Sequence, residues 1–364
     1  MNTNTLYENY LKDLPFVDRF VYGDGLLPIP KPEFSGSQLS FAFEEWERNS
    51  PWRQTLSEAG DLQEGKNHEA FLRAHGFSWI GMEHPFHQPC PDWPDPYHPV
   101  ADLQALFQPN QLSSFRDALA GLQLGFTQEI RNLSVFLAAV SHRFAQYIHF
   151  EGRDFRVFFP KFRFEVVSEG EISRLFDKWL ISRQKPDGDE MARFQSFLMI
   201  QVALLCHKSN CRLHIRTGMV QNPVNGYQWT LPEQPLKDIE QFFLTLNKGN
   251  CLPAIFWQPS GTDWTNALRL TGQFTDAGGN PLVQVLPDLS FPFSVSDFHR
   301  WLNQLYAEGR LENSCLPGSS ARNLAELERN FWMRKELCNW WTQHSFLSGW
   351  PEEVVGKSLR RLAG

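Results

Sequence analysis

From residue 156 to the C-terminus, short runs of strand character alternate with longer runs of helical periodicity, and this limits the fold more than any other feature. Strand character is read at 156–167, 212–215, 252–257, 282–286 and 313–316. Apolar residues recur at helical spacing at 172–180, 189–206, 236–247, 265–274, 294–308, 324–341 and 351–362. Parallel strands cannot be joined by a tight hairpin; each needs a crossover of many residues, usually a helix. The alternation therefore implies an α/β chain, a parallel sheet with helices outside it. The runs at 14–22 (LPFVDRFVY) and 76–82 bring the strands to six or seven. No glycine-rich nucleotide turn follows any of them, so the expected fold is a distorted TIM-like (β/α) barrel and not a doubly wound sheet.

Helical spacing also marks 1–13, 41–48, 51–58, 68–75, 115–122 and 127–150, and the stretch 84–99 is a proline-studded loop. These segments predict one domain over 1–364 with a mainly helical insertion at about 33–150, after the first strand. The 31 Phe and 13 Trp among 364 residues predict a core packed by rings. A net charge of −7 without a lysine or arginine block speaks against nucleic acid and anionic membranes as partners. The first twenty residues carry Glu8, Lys12, Asp13 and Asp18, and no stretch of eighteen apolar residues exists, so neither a signal peptide nor a membrane span is expected. Six thinly spread cysteines fit free thiols in a cytoplasmic protein. Oligomeric state is left open, a homo-oligomer included.

The stretch 211–225 (CRLHIRTGMVQNPVN) holds the main site candidates. Residues past the C-terminal ends of barrel strands face the ligand crevice, which points to His214 and Arg216, with Thr217, Gln221 and Asn222 beyond them. The alternative is a satisfied strand histidine followed by a solvated arginine. Arg163 and Arg322 also fall near expected strand ends. Three guanidinium forks around one mouth would suit a carboxylate. Two metal arrangements carry less weight. His84, His87 and Cys90, with His98 nearby, sit among stiffening prolines, and no second cysteine or histidine pair completes a four-ligand signature. Cys206, His207, Cys211 and His214 cannot all face one side of a strand. No nucleophile motif is present.

Several stretches together resemble the uronate isomerase family, a divergent branch of the amidohydrolase-like barrels. They are 6–17 (LYENYLKDLPFV), 43–53 (FEEWERNSPWR), PKFRFE at 160–165, RLHI at 212–215, 252–263, 281–291, and SSARN at 319–323 followed by FWMRKELCNWW at 331–341. The resemblance implies aldose–ketose isomerisation of a hexuronate, D-glucuronate to D-fructuronate, with a divalent metal held by a His-x-His pair and an aspartate. Those metal positions fall here on Phe20, Tyr22 and Ser320. The expectation is therefore a degenerate metal site and no cofactor. His214 and Arg322 become the candidate catalytic residues, and Arg163, Arg216 and Arg53 the candidate contacts to a sugar acid. The other expectation is a barrel without catalysis that binds a sugar acid or a protein partner.

Overall fold

The computed structural model describes residues 7–11, 16–21, 77–90, 97–182, 184–221, 228–230, 236–259, 264–286, 295–311, 329–349 and 351–363. After a π-helical turn at Tyr7–Leu11 come β1 (Phe16–Val21), β2 (Phe77–Pro85) and β3 (Tyr97–Asp102). A 3₁₀ turn at Gln104–Phe107 leads to α1 (Leu112–Gln123), α2 (Leu133–His149), β4 (Asp154–Phe159), α3 (Glu169–Ser182) and α4 (Gly188–Lys208). Next come β5 (Arg212–Thr217), the short strands β6 (Met219–Gln221) and β7 (Gln228–Thr230), α5 (Lys237–Lys248), β8 (Ala254–Pro259), α6 (Trp264–Thr271) and β9 (Val283–Val285). The described chain ends with α7 (Val295–Ala307), α8 (Arg329–Ser348) and α9 (Glu352–Ala363).

These elements form two compact units, one of Met1–Met82, Asp95–Tyr97 and Pro287–Gly364, the other of Glu83–Pro94 and His98–Leu286. In the first, β1 pairs in parallel with β2, Val17 opposite Trp79 and Val21 opposite Met82. Its helices bury Phe298, Trp301, Leu305, Trp340, Trp341 and Leu359. Indole polarity is answered locally: Trp340 Nε1 donates to Asn303 Oδ1 at 2.8 Å.

In the second unit, β3, β4, β5, β8 and β9 lie side by side in chain order, and every pair is parallel. Side chains alternate across such a sheet, so register decides what each face carries. Asp102, Arg156, His214, Phe256 and Gln284 are opposite one another. Val100, Asp154, Arg212 and Ala254 lie one rung below on the same face, and Phe158, Arg216 and Gln258 one rung above. The other face is apolar and buried: Phe155, Val157, Phe159, Leu213, Ile215, Ile255, Trp257, Val283 and Val285. Helices and rings cover it. Phe144 stacks on Phe155 at 3.9 Å, Phe107 meets Phe159 edge-on, and Phe243 meets Trp257. Phe115, Phe136, Phe176 and Phe194 interlock between α1, α2, α3 and α4. The helix starts are fixed by side chains. Asn132 caps α2 by accepting from Val135 N–H, and Asp187 and Glu190 form a capping box on α4.

Two readings of the sequence need correction. The strand expected at 156–167 is β4, which closes at Phe159 because Pro160 has no N–H to offer the ladder. The proline loop expected at 84–99 contains the end of β2 and the start of β3. Pairing of β3 with β4 begins at Val100, so Pro99 withholds no donor from that ladder. Within the expected insertion at about 33–150, β2 and β3 are strands of the sheet, 104–107, 112–123 and 133–149 are helical, and 33–76 and 91–96 lie outside the described residues. The expected helices at 41–48, 51–58 and 68–75 and the strand at 313–316 lie outside the described residues. Among the described residues no helix is long and apolar enough to cross a membrane.

Candidate functional site

The polar face gathers charges from the middle of β4 to the C-terminal ends of the neighbouring strands. Glu83, next to the end of β2, pairs through Oε1 with Arg156 Nη2 from β4. Asp102 closes β3 and accepts the Gln104 backbone N–H at 3.0 Å. Arg216, one rung above His214 on β5, donates from Nε to Gln258 Oε1 on β8. Arg156, Arg216 and Gln258 are buried, and the Glu83 side chain is 17% exposed. Two guanidinium groups and a second carboxylate are thus close enough to Glu83 for their charges to act on it, in surroundings only partly open to water. Burial raises the Glu83 carboxyl to about 6; Arg156 and Arg216 pull it down and the Asp102 charge pushes it up. Glu83 Oε2 is buried and has no hydrogen-bond partner among the described residues. Such an atom calls for a physical reason, and a group poised to exchange protons or contact a ligand provides one. Neighbouring contacts hold the frame. Gln104 Oε1 accepts Phe158 N–H at 2.9 Å, and Trp257 Nε1 donates to Thr217 Oγ1 at 3.0 Å.

A second cluster lies lower on the same face. Asp154, fully buried at the start of β4, accepts from Arg212 Nε at 2.7 Å and Nη2 at 2.6 Å. His214 Nε2 is 2.6 Å from Asp154 Oδ1, and its ring lies against Phe256. Burial alone would raise the Asp154 carboxyl; Arg212 and His214 outweigh it and hold it well below the usual carboxylate range. This cluster sits toward the N-terminal ends of the strands, where barrels concentrate stability and not chemistry.

The candidates read from sequence are therefore separated. Arg216 is in the upper cluster. His214 is beside it on β5 but is anchored to Asp154 in the lower one, contrary to the expectation that it stands at a strand end. Arg163 is not on a strand either. It follows Pro160 outside β4, is 51% exposed, and pairs with Asp189 in the first turn of α4 at 2.9 Å. Arg53, Arg322, Tyr22, Ser320 and Asn222 lie outside the described residues, and Phe20 lies in β1. Sequence reasoning missed Glu83, Asp102, Arg156 and Gln258. Glu83, Asp102 and Gln258 each follow a short apolar run, as in WIGME at 79–83 and FWQ at 256–258, and that was the available signal; Arg156 precedes one, VFF at 157–159.

The described residues do not fit the divalent metal that the sequence resemblance implies. No group of three or more His, Cys, Asp or Glu side chains among them is placed to hold an ion. Glu83 and Asp102, the carboxylates at the strand ends, face guanidinium charges that oppose a cation. His84, weighed as a ligand, instead contacts Tyr147 Oη through Nδ1 at 2.8 Å.

No protein-family model matches the chain, and no curated protein matches it. Solved structures do. The uronate isomerase of Thermotoga maritima aligns over 99% of this chain and 95% of its own, with a TM-score of 0.76 at 14% identity. Glucuronate isomerase from Caulobacter crescentus aligns over 99% and 91%, with 0.75 at 13%. A uronate isomerase of Bacillus halodurans aligns over 100% and 95%, with 0.65 at 12%. At these identities the likeness is one of fold, and nearly the whole chain takes part in it: the protein has the α/β, TIM-like fold of the uronate isomerases.

Proposed function

We propose that this protein binds a hexuronate through its carboxylate and interconverts the aldose and ketose forms, as the names of its structural neighbours suggest. The observation that carries the reading is the pair of buried arginines on the polar face, Arg216 toward the C-terminal end of β5 and Arg156 one rung lower in the middle of β4. Guanidinium forks bind carboxylates bidentately, and strand C-termini are where barrels hold substrate. In such an isomerisation a proton moves from C2 to C1 and another from the C2 hydroxyl to the C1 oxygen, so nothing is consumed. Glu83 is the group in this cluster suited to passing protons near neutral pH. No step is routed through a metal.

The test is NMR of D-glucuronate incubated with the purified protein in deuterated water, with and without added manganese. The expected result is accumulation of D-fructuronate carrying deuterium at C1, with deuterium also appearing at C2 of the remaining D-glucuronate. Arg216→Ala should weaken substrate binding by about ten- to a hundredfold, the worth of a charge-assisted hydrogen bond. A second reading has its own support: the charges of the cluster are already mutually balanced, as in a site that binds without turning over. Binding of glucuronate with no exchange would establish that version. Absence of both would end the sugar-acid reading.

A further inference from the structure

Four charged side chains from neighbouring strands come together on the polar face: Glu83 from β2, Asp102 from β3, Arg156 from β4 and, one rung higher, Arg216 from β5. With both acids ionised, their charges cancel. A ligand carboxylate entering this cluster would then be a third anion facing two guanidinium groups, in a place with little water to screen it. The arginines can hold the ligand well only if one internal acid gives up its charge. The two acids are not equivalent. Asp102 Oδ1 already accepts a backbone N–H. Glu83 has one oxygen on Arg156, while its other oxygen is buried without a hydrogen-bond partner among the described residues. A proton placed on Oε2 would turn that orphan acceptor into a donor aimed at an incoming oxygen.

We propose that binding of a carboxylate ligand at Arg156 and Arg216 is coupled to uptake of one proton by Glu83. The inference rests on the sugar-acid reading and says how its site is regulated: acid favours binding. Glu83 acts here as an internal stand-in for the ligand's carboxylate and is discharged when the ligand takes its place. Among the described residues the groups facing it are Arg156, Arg216 and Asp102, and its chain neighbour His84 contacts Tyr147. The raised position of the Glu83 carboxyl, about 6, makes the uptake measurable in an accessible range.

The test is calorimetric titration of D-glucuronate into the intact protein at pH 5.5, 6.5 and 7.5, each in two buffers of different ionisation enthalpy. These pH values bracket the Glu83 value of about 6. Above it, the expected result is close to one proton taken up per ligand, with Kd rising about tenfold per pH unit. Glu83→Gln should bind without proton uptake and with a flat pH profile, whereas Asp102→Asn should keep the uptake. Wild-type binding without proton uptake, or an unchanged profile in Glu83→Gln, overturns this inference and leaves the sugar-acid reading standing. No heat from wild type at any pH overturns both. The wild-type titration decides even if a variant fails to fold.

Discussion

Two buried carboxylates on one sheet face respond to pH in opposite directions. Asp154 is held below its ordinary value of 3.8, so its contribution is fully present above that pH and is lost as pH falls through the folded-state value. Asp154→Asn removes the buried charge that Arg212 and His214 share, although the Arg212 side chain keeps some access to water. The expected loss is about 3 kcal/mol near pH 7, toward the lower end for a broken buried pair. Urea midpoints should show this gap narrowing as pH drops below 3.8. A gap that stays constant down to pH 2 would mean that the carboxylate's charge is not what matters. Glu83 is raised from 4.5 to about 6, so its contribution is complete below 4.5 and is lost as pH rises to about 6. The amount is ~2 kcal/mol, from 1.36 kcal/mol per pKa unit. Glu83→Gln should remove this descent from the stability–pH curve, whatever it does to absolute stability, and a curve of unchanged shape would refute the assignment. Residues of this kind were only partly legible in the sequence. His214 and Arg216 stand in one alternating run and could be picked out locally. Glu83, Asp102, Arg156 and Gln258 come from four separate strands, and only the register brings them together.

Among the elements, the segment after β2 is fixed by a close approach that only glycine permits. A Cβ on Gly121 in α1 would lie 2.7 Å from the His87 carbonyl oxygen and 2.8 Å from its imidazole Cδ2. The imidazole could turn away, but the backbone carbonyl could not without moving the segment that follows Glu83. Gly121→Ala gains helix propensity, worth up to ~1 kcal/mol. Overpacking against backbone costs about 1–3 kcal/mol, so net destabilisation is expected. A thermal melt showing higher stability would mean that the segment yields freely. The same neighbourhood shows where element reading fails. Proline at 85, 89, 91, 94, 96 and 99 argued against any strand, yet β2 runs to Pro85 and β3 contains Pro99. Proline forbids a donor only where the ladder needs one, and that depends on the neighbouring strand. Elements with long apolar periodicity were safer: helical spacing at 189–206 became α4, Gly188–Lys208, with its cap at Asp187.

For the molecule as a whole, alternation of strand and helix identified the α/β class, and the parallel pairs from β3 to β9 follow it in chain order. What alternation could not supply was the charge inside the fold, because a buried ion pair and an exposed arginine look alike in one dimension. Arg163 and Arg156 show this: seven residues apart, one pairs with Asp189 in solvent and the other with Glu83 in the interior. Cysteine chemistry is a simpler whole-chain property. Five of the six cysteines are described, and all five are free thiols. Denatured, unreduced protein should therefore titrate six thiols; a markedly lower count would reveal a bond between chains or an oxidised cysteine.

Metal dependence is also best read on the whole chain, because any ion bound to the folded state and not to the unfolded chain raises stability by RT ln(1 + [L]/Kd). At a hundredfold excess over Kd this is about 2.7 kcal/mol, enough to move the melting temperature by several degrees in a chain of ordinary size. Uronate isomerases, by the resemblance, hold a divalent ion on a His-x-His pair and an aspartate. By the same resemblance Phe20, Tyr22 and Ser320 fall at the corresponding positions, while Glu83 has Arg156 and Arg216 as charged neighbours and Asp102 lies opposite Arg156. Neither set suits a cation: the first offers at most two neutral hydroxyl oxygens, which are poor ligands for zinc or manganese, and the second is opposed by two positive charges. The melting temperature of chelator-treated protein should then stay within about one degree when millimolar zinc or manganese is added. A rise of several degrees that saturates at one ion per chain would show a functioning metal centre, and NMR turnover of glucuronate restored by the same ion would tie that centre to the chemistry.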